Sequence, residues 1–351
     1  MSPDGSTVYV ADSPSASVSV ISTASNQVVA TITGVSNPTG IVVSPDNSTV
    51  YVTDLGTTPK VITVINTSKD QIVNTITLAS SAGPTGIAVS PDNSTIYVAD
   101  NNNNAVTIIN TSTESITGTI KVGSGPQGIV VSPDGSTVYV VNGGSNNVSV
   151  INTATNSLIT NVTVGSSPMG VAVTPDGSKV YVSNNGGTTV TVINTTDNTV
   201  SATVTVGTGP WGVAVTPDGS KVYVANSNSN SVSVITTATN LVAATVPVGS
   251  GPESFGPFIM SSATRTAAPV ITTPVYAGAT SVSGTAAAGA SVVLTYNAVR
   301  QAAVTATGGA WTVPVPALAT TDTLSVTAWL SPDRMSAPVT ATVVPAPTPT
   351  P

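Results

Sequence analysis

One phrase, S/T-P-D-G/N-S-x-x-Y-V, recurs six times along the chain, with its proline at Pro3, Pro45, Pro91, Pro133, Pro175 and Pro217. The intervals are 42, 46, 42, 42 and 42 residues. A period of this length with one tyrosine-bearing strand per copy marks a β-propeller, in which each repeat is a four-stranded blade. Such a sheet cannot bury both faces alone, so the repeats must stack around an axis.

The fourth copy shows the pattern. Gly128 to Ser132 is a short apolar run, and Pro133-Asp134-Gly135 is a turn in which proline fixes φ and glycine permits a positive one. Thr137 to Val141 follows as a second strand, then the loop Asn142 to Asn146. Asn147 to Asn152 and Leu158 to Val164 alternate polar and apolar residues as third and fourth strands. The expected fold is all-β: a six-bladed propeller over residues 1–260, or a seven-bladed one if an upstream blade precedes it. The first copy lacks its opening strand, and Phe255-Gly256-Pro257-Phe258-Ile259-Met260 stands in an opening-strand slot with no turn phrase after it. That segment is expected to complete the first blade and close the ring, removing two open edges. Met1 runs directly into a repeat, so an N-terminal segment carrying any export signal is expected upstream.

The strands Tyr51-Val52-Thr53-Asp54, Tyr97-Val98-Ala99-Asp100 and Tyr181-Val182-Ser183-Asn184, with the G-P-x-G-[IV]-[AV]-V run that opens most copies, resemble the YVTN family of propeller repeats. The resemblance covers residues 1–260 and implies the fold. It also implies a setting, since such repeats occur in prokaryotic surface-layer and other exported proteins of diverse role.

Beyond an Ala/Thr-rich linker at 261–268 the period ends. Short alternating runs over 269–344 are punctuated by Gly289, Gly308-Gly309, Pro332-Asp333 and Pro338, which predicts a β-sandwich. Val282-Ser283-Gly284-Thr285, Gly289-Ala290-Ser291-Val292 and Gly309-Ala310-Trp311-Thr312-Val313 resemble bacterial Ig-like domains of surface adhesins. Residues 345–351 read as a Pro/Thr-rich tail.

Composition narrows the chemistry. Only 7% of residues are charged, and the net charge is −7. Residues 1–260 hold thirteen carboxylates, five lysines and no arginine, a balance that repels a phosphate backbone and argues against nucleic-acid partners. No run approaches ~20 consecutive apolar residues, so no transmembrane segment is expected. The 351 residues include no histidine and no cysteine, which removes the usual acid–base and thiol groups and any thiolate metal site. Two G-x-G-x-x-G matches, at Gly123 and Gly207, precede strands rather than helices and read as crossovers between blades. Seven N-x-S/T sequons, Asn47, Asn110 and Asn194 among them, are compatible with surface glycosylation.

Three positions invite a site. The turn aspartates Asp4, Asp46, Asp92, Asp134, Asp176 and Asp218 read as Asx-type turns. The residue ending each second strand is Asp12, Asp54 or Asp100 in the first three copies and Asn142, Asn184 or Asn226 in the others. Three carboxylates on one half of a ring suggest a cation site, but no D-x-D-x-D-G loop accompanies them, and solvated turns are the expected reading. The third position is the variable residue of P-x-G: Thr39, Thr85, Gln127, Met169, Trp211 and Glu253. These precede the innermost strands and are expected to rim the central channel, with Trp211 and Met169 as apolar anchors and Gln127 and Glu253 as polar neighbours.

The expectation is therefore a non-enzymatic exported or cell-surface protein. Its propeller mouth would bind a protein or glycan without cofactor, catalytic residue or metal. The alternatives are a hydrolase or lyase resembling propeller lactonases, and an intracellular scaffold.

Overall fold

In the computed structural model, residues 1–253, 270–286, 288, 290–297, 299–300, 304–329 and 339–346 are described. The chain divides into two compact units, Met1–Ser262 and Ala263–Pro351. The proposed closing strand at Phe255–Met260 and the linker at 261–268 lie outside the described residues.

The first unit is a series of six antiparallel sheets, one per repeat. The first sheet has three described strands (Thr7–Asp12, Ser17–Ser22 and Gln27–Thr33), and each of the other five has four, hydrogen-bonded in chain order. The fourth blade is typical, with Pro126–Val131 innermost, then Thr137–Asn142, Asn147–Asn152 and Ser157–Thr163 outermost. A helical period never develops in these runs, because apolar residues recur every second position. The fold is an all-β propeller.

With the four strands of a blade lettered a to d from the innermost outward, each a–b turn is closed by its own side chains. Ser44 Oγ donates to Asp46 at 2.6 Å, the Ser48 N–H donates to the same carboxylate at 3.0 Å, and the Thr49 N–H donates to Ser44 Oγ at 2.9 Å. The residue after the aspartate has positive φ, which is why only Gly or Asn stands there (Gly135 at 75°, Asn47 at 65°). Where it is asparagine, it reaches back to the preceding blade: Asn47 donates to Asp4 at 3.2 Å, and Asn93 to Asp46 at 3.0 Å.

Two pairing irregularities repeat from blade to blade. In each four-stranded blade the innermost and second strands pair at the proline, skip the x-G residues and resume, as at Pro126↔Asn142 and Ile129↔Val140. The third and outermost strands of every blade carry a bulge at one register position, as between Val150 and Ile151.

Blades stack through opposed apolar faces. The forward face carries the repeat tyrosine and branched residues of the third and fourth strands: in the fifth blade, Tyr181, Val190, Val192 and Val204. The sixth blade meets them with Val213, Val222, Val224 and Ile235. Tyr9, Val18, Val20 and Ile32 of the first blade meet Val50, Val52 and Ile65 of the second in the same way. Each fully buried side chain of this kind contributes about 1.5–3 kcal/mol. The tyrosine is also a polar peg: Tyr181 Oη donates to Asn240 Oδ1 at 2.7 Å, across to the outer turn of the next blade.

In the second unit a three-stranded sheet (Val270–Ile271, Ser281–Thr285 and Ala310–Pro314) and a six-stranded one share a single core. Ile271, Val282, Trp311 and Val313 come from the first sheet, and Val292, Leu294, Leu324 and Val326 from the second. Trp311 is 3% exposed, and Gly284 faces it because a Cβ there would meet the indole. With its own core, this unit is expected to fold when expressed alone as residues 269–344. The check is tryptophan emission: a spectrum that shifts to the red on adding urea reports a buried Trp311, whereas one unchanged by urea would show that the unit needs the propeller.

Candidate functional site: the propeller mouth

Because second strands end opposite the start of innermost strands (Pro38↔Asp54, Pro84↔Asp100 and Pro168↔Asn184), the b–c and d–a loops lie at one end of the blades. The residues singled out in the sequence at that end fall into two groups, the strand-ending Asp and Asn and the variable residues of P-x-G.

The strand-ending Asp and Asn are structural. Asp54 is 1% exposed and accepts the N–H groups of Ser36 at 2.8 Å, Asn37 at 3.0 Å and Gly56 at 2.8 Å. Asp100 accepts from the Gly83 N–H at 2.9 Å and from Asn103 Nδ2 at 2.7 Å, and Asp12 accepts from Ser19 Oγ at 2.6 Å. Asn184 accepts the Gly165 N–H at 3.0 Å and donates to Thr191 Oγ1 at 2.9 Å. Except in the first blade these residues are buried, not solvated as the sequence suggested: Asp54 and Asp100 hold the loops on either side of them, Asn142 and Asn226 donate to the third strand, and Asn184 does both. No group of three His, Cys, Asp or Glu side chains stands close enough to share a metal among the described residues.

The turn aspartates sit at the a–b turns and serve their own loops. The Thr216 hydroxyl, with the Ser220 N–H and hydroxyl, holds the Asp218 carboxyl down at about 2.

The P-x-G residues form the second group. Their side chains fall where the pairing skips, which takes them out of the interblade clusters. Thr39 and Thr85 are spent on structure, donating to the proline carbonyls of the next P-x-G, Pro84 at 3.2 Å and Pro126 at 3.0 Å. Gln127, Met169 and Trp211 are half-buried on three consecutive blades. Their strands run side by side: Ser183 Oγ of the fifth blade donates to the Trp211 carbonyl of the sixth at 2.5 Å. Glu253 is exposed, and it accepts from Ser227 Oγ at 3.4 Å in the short 3-10 turn Ser227–Ser229.

Below this rim neighbouring innermost strands lie close together. Gly40, Gly86, Gly128 and Gly170 and the branched residues after them, with Met169 and Val213, line a void of about 30 Å³, room for about one water. The glycines let neighbouring innermost backbones come together: a Cβ on Gly128 would lie 2.5 Å from the Met169 carbonyl oxygen, and one on Gly40, Gly86 or Gly170 would also come within 3.0 Å of a backbone oxygen of the next blade. What the sequence missed is the hydroxyl one place before the strand end. Thr53 donates to the Thr85 carbonyl at 2.8 Å as Ser183 does to Trp211; with a hydroxyl at that register in only two of the six copies, no repeated signal pointed to it.

Residues 110–245 match the sequence model of the family described as lactonase, 7-bladed beta-propeller, and residues 82–109 that of the NHL repeat. Both support a β-propeller repeat protein. Among solved structures, the chain is similar to hydrazine synthase of Kuenenia stuttgartiensis, with 24% identity and a TM-score of 0.65 over 72% of this chain and 87% of that one. It is also similar to a functionally unknown protein from Desulfotomaculum acetoxidans DSM 771, with 22% identity and a TM-score of 0.62 over 72% of this chain and 88% of that one. At such identities the likeness is one of fold. No curated protein matches the sequence. No helix among the described residues is long and apolar enough to cross a membrane.

Proposed function

We propose that the protein is a non-enzymatic binding module of an exported or surface-displayed assembly, and that its ligand docks on the rim carrying Gln127, Met169 and Trp211. One observation carries this reading: in a chain that otherwise repeats itself, these three adjacent positions diverge, and their side chains belong to none of the five interblade clusters. An indole, a thioether and a carboxamide offer one apolar platform and one two-way hydrogen-bonding group. With Glu253 nearby, the rim suits a neutral, hydroxyl-rich ligand such as a glycan, or a polar loop of a partner protein. The sparse charge and the Thr- and Asn-rich surface suit exposure outside a cell. The resemblance of the second unit to Ig-like adhesin modules, and of the repeats to the YVTN family, points the same way.

A lactonase-type hydrolase is the second reading, favoured by the family match over residues 110–245. Against it stands the chemistry of the rim. No histidine exists in the chain, and Asp54 and Asp100 are occupied by N–H donors, which leaves no group with an ordinary pKa near 7 to shuttle a proton.

The deciding experiment screens neutral glycans and surface polymers for binding, and lactones for turnover. Trp211→Ala is expected to weaken the glycan found by tenfold or more, as for a half-buried aromatic anchor. Unchanged affinity would move the site off the rim, and hydrolysis of a lactone would replace this reading with the second.

A further inference from the structure

The rim has a second row of side chains, supplied by the residue that opens each b–c loop. Asn101 Nδ2 donates to the Pro126 carbonyl of the next blade at 3.2 Å, and Asn185 Nδ2 to the Pro210 carbonyl at 3.4 Å. Gly143 holds the same place in the blade between them. A Cβ on it would lie 3.3 Å from the Pro168 carbonyl oxygen and 3.7 Å from the Gln127 side chain. One half-buried carboxamide is thus anchored at the residue before Gln127 and another at the residue before Trp211. The residue before Met169 is met by a glycine. Each anchored asparagine spends one amide N–H, and its Oδ1 accepts no hydrogen bond among the described residues.

We propose that the ligand of the rim is a neutral, linear oligosaccharide lying along this arc, one sugar on Trp211 and Asn185 and another on Gln127 and Asn101. This rests on the rim being the docking face; Asn101 and Asn185 then set specificity. An indole takes the C–H face of a pyranose, and a carboxamide donates to one hydroxyl and accepts from its neighbour. Because a proline carbonyl already holds each asparagine, less rotamer freedom is lost on binding. Strands in contact stand about 5 Å apart, so carboxamide pairs two blades apart are separated by about 10 Å, more than one sugar ring spans. Between the pairs, the Met169 side chain and the bare Cα of Gly143 offer apolar contact only. A glycosidic link has no donor and crosses this stretch without loss, whereas a peptide N–H crossing it would be left unpaired. None of the six residues is charged, which suits a neutral chain.

The test uses the whole protein and a panel of neutral sugars: glucose, galactose, mannose and N-acetylglucosamine, each as the monosaccharide and as a linear tetrasaccharide. Calorimetry reads the tetrasaccharides, and ligand-observed NMR the weaker monosaccharides. At least one tetrasaccharide is expected to bind about tenfold or more tighter than its monosaccharide. Asn185→Ala should weaken both about fivefold, whereas Asn101→Ala weakens the tetrasaccharide about fivefold and leaves the monosaccharide unchanged. A variant that merely loosened the rim would not split the two lengths, and equal thermal midpoints exclude a folding defect. Equal affinity for the two lengths, or an equal effect of Asn101→Ala on both, overturns the extended chain. A panel without a tetrasaccharide that binds also overturns it, and leaves the rim to a partner protein. If a tetrasaccharide binds and Trp211→Ala leaves its affinity unchanged, the rim reading itself falls as well.

Discussion

Gly128→Ala is expected to lower the stability of the propeller by about 3 kcal/mol, with a fall in thermal midpoint of roughly 5–10 °C for a unit of this size. The cause is the closeness of the innermost backbones. The new methyl would stand 2.5 Å from the Met169 carbonyl oxygen and 3.1 Å from a methyl of Val141. Neither neighbour can step aside. The carbonyl belongs to the fifth blade's own strand, and Val141 lies on the adjoining strand of the fourth blade with 0% exposure. The blades must part instead, and the Val130 and Val171 contacts beneath them loosen. Gly249→Ala is the control, because a methyl there meets nothing within 4 Å. Thermal unfolding followed by circular dichroism compares the two. Equal midpoints would mean that the innermost backbones of neighbouring blades do not approach this closely.

The second large effect is alkaline unfolding between pH ~10 and ~12. Burial pushes the phenols of Tyr9, Tyr51 and Tyr181 up to about 12, with the carboxylates of Asp70, Glu114 and Asp176 respectively adding to the shift. Burial raises Tyr97 and Tyr139 as well. A phenol whose folded pKa exceeds its unfolded value near ~10 contributes stability that is fully present below pH ~10 and lost as pH climbs toward the folded value. Five such groups, one at each blade interface, lose it over the same range. Phenolate absorbance and the far-ultraviolet sheet signal are expected to change together in this window. Phenolate appearing near pH ~10 with the sheet signal intact would show that the tyrosines are not interblade pegs. Tyr181→Phe keeps the ring but loses the bond to Asn240, and should cost about 1 kcal/mol at neutral pH.

The blades were legible in the sequence because everything that shapes a single blade is local. Alternation at Asn147–Asn152 yields that strand with the bounds observed, and Pro-Asp-Gly yields its turn. The innermost strand was harder. Read from Gly128, it begins at Pro126, because proline and glycine look like turn residues until the neighbouring blade supplies the reason for them. Asp54 was misjudged for the same cause: its donors Ser36 and Asn37 precede it by 18 and 17 residues, and nothing in the local phrase shows that they fold onto it. Trp211 and Met169 stood out by breaking a repeat, which needs no structure. That the strands carrying them approach backbone to backbone at the P-x-G glycines required the contacts between blades.

The bulge in every outermost strand has a consequence for how these molecules behave in a crowd. That strand is an edge on the circumference of each blade, and edges recruit strands from other chains. It is also greasy: Val28 is 57% exposed and Leu158 39%. A chain with only 7% charged residues has little electrostatic repulsion to keep copies apart. The extra residue of each bulge breaks the ladder just where these side chains stand, between Val20 and Ile21 in one blade and between Val150 and Ile151 in another. An incoming strand cannot continue a straight run of hydrogen bonds past that point. Protection against edge-to-edge association here rests on the shape of the backbone rather than on like charge, so it should withstand high salt, which screens surface charge.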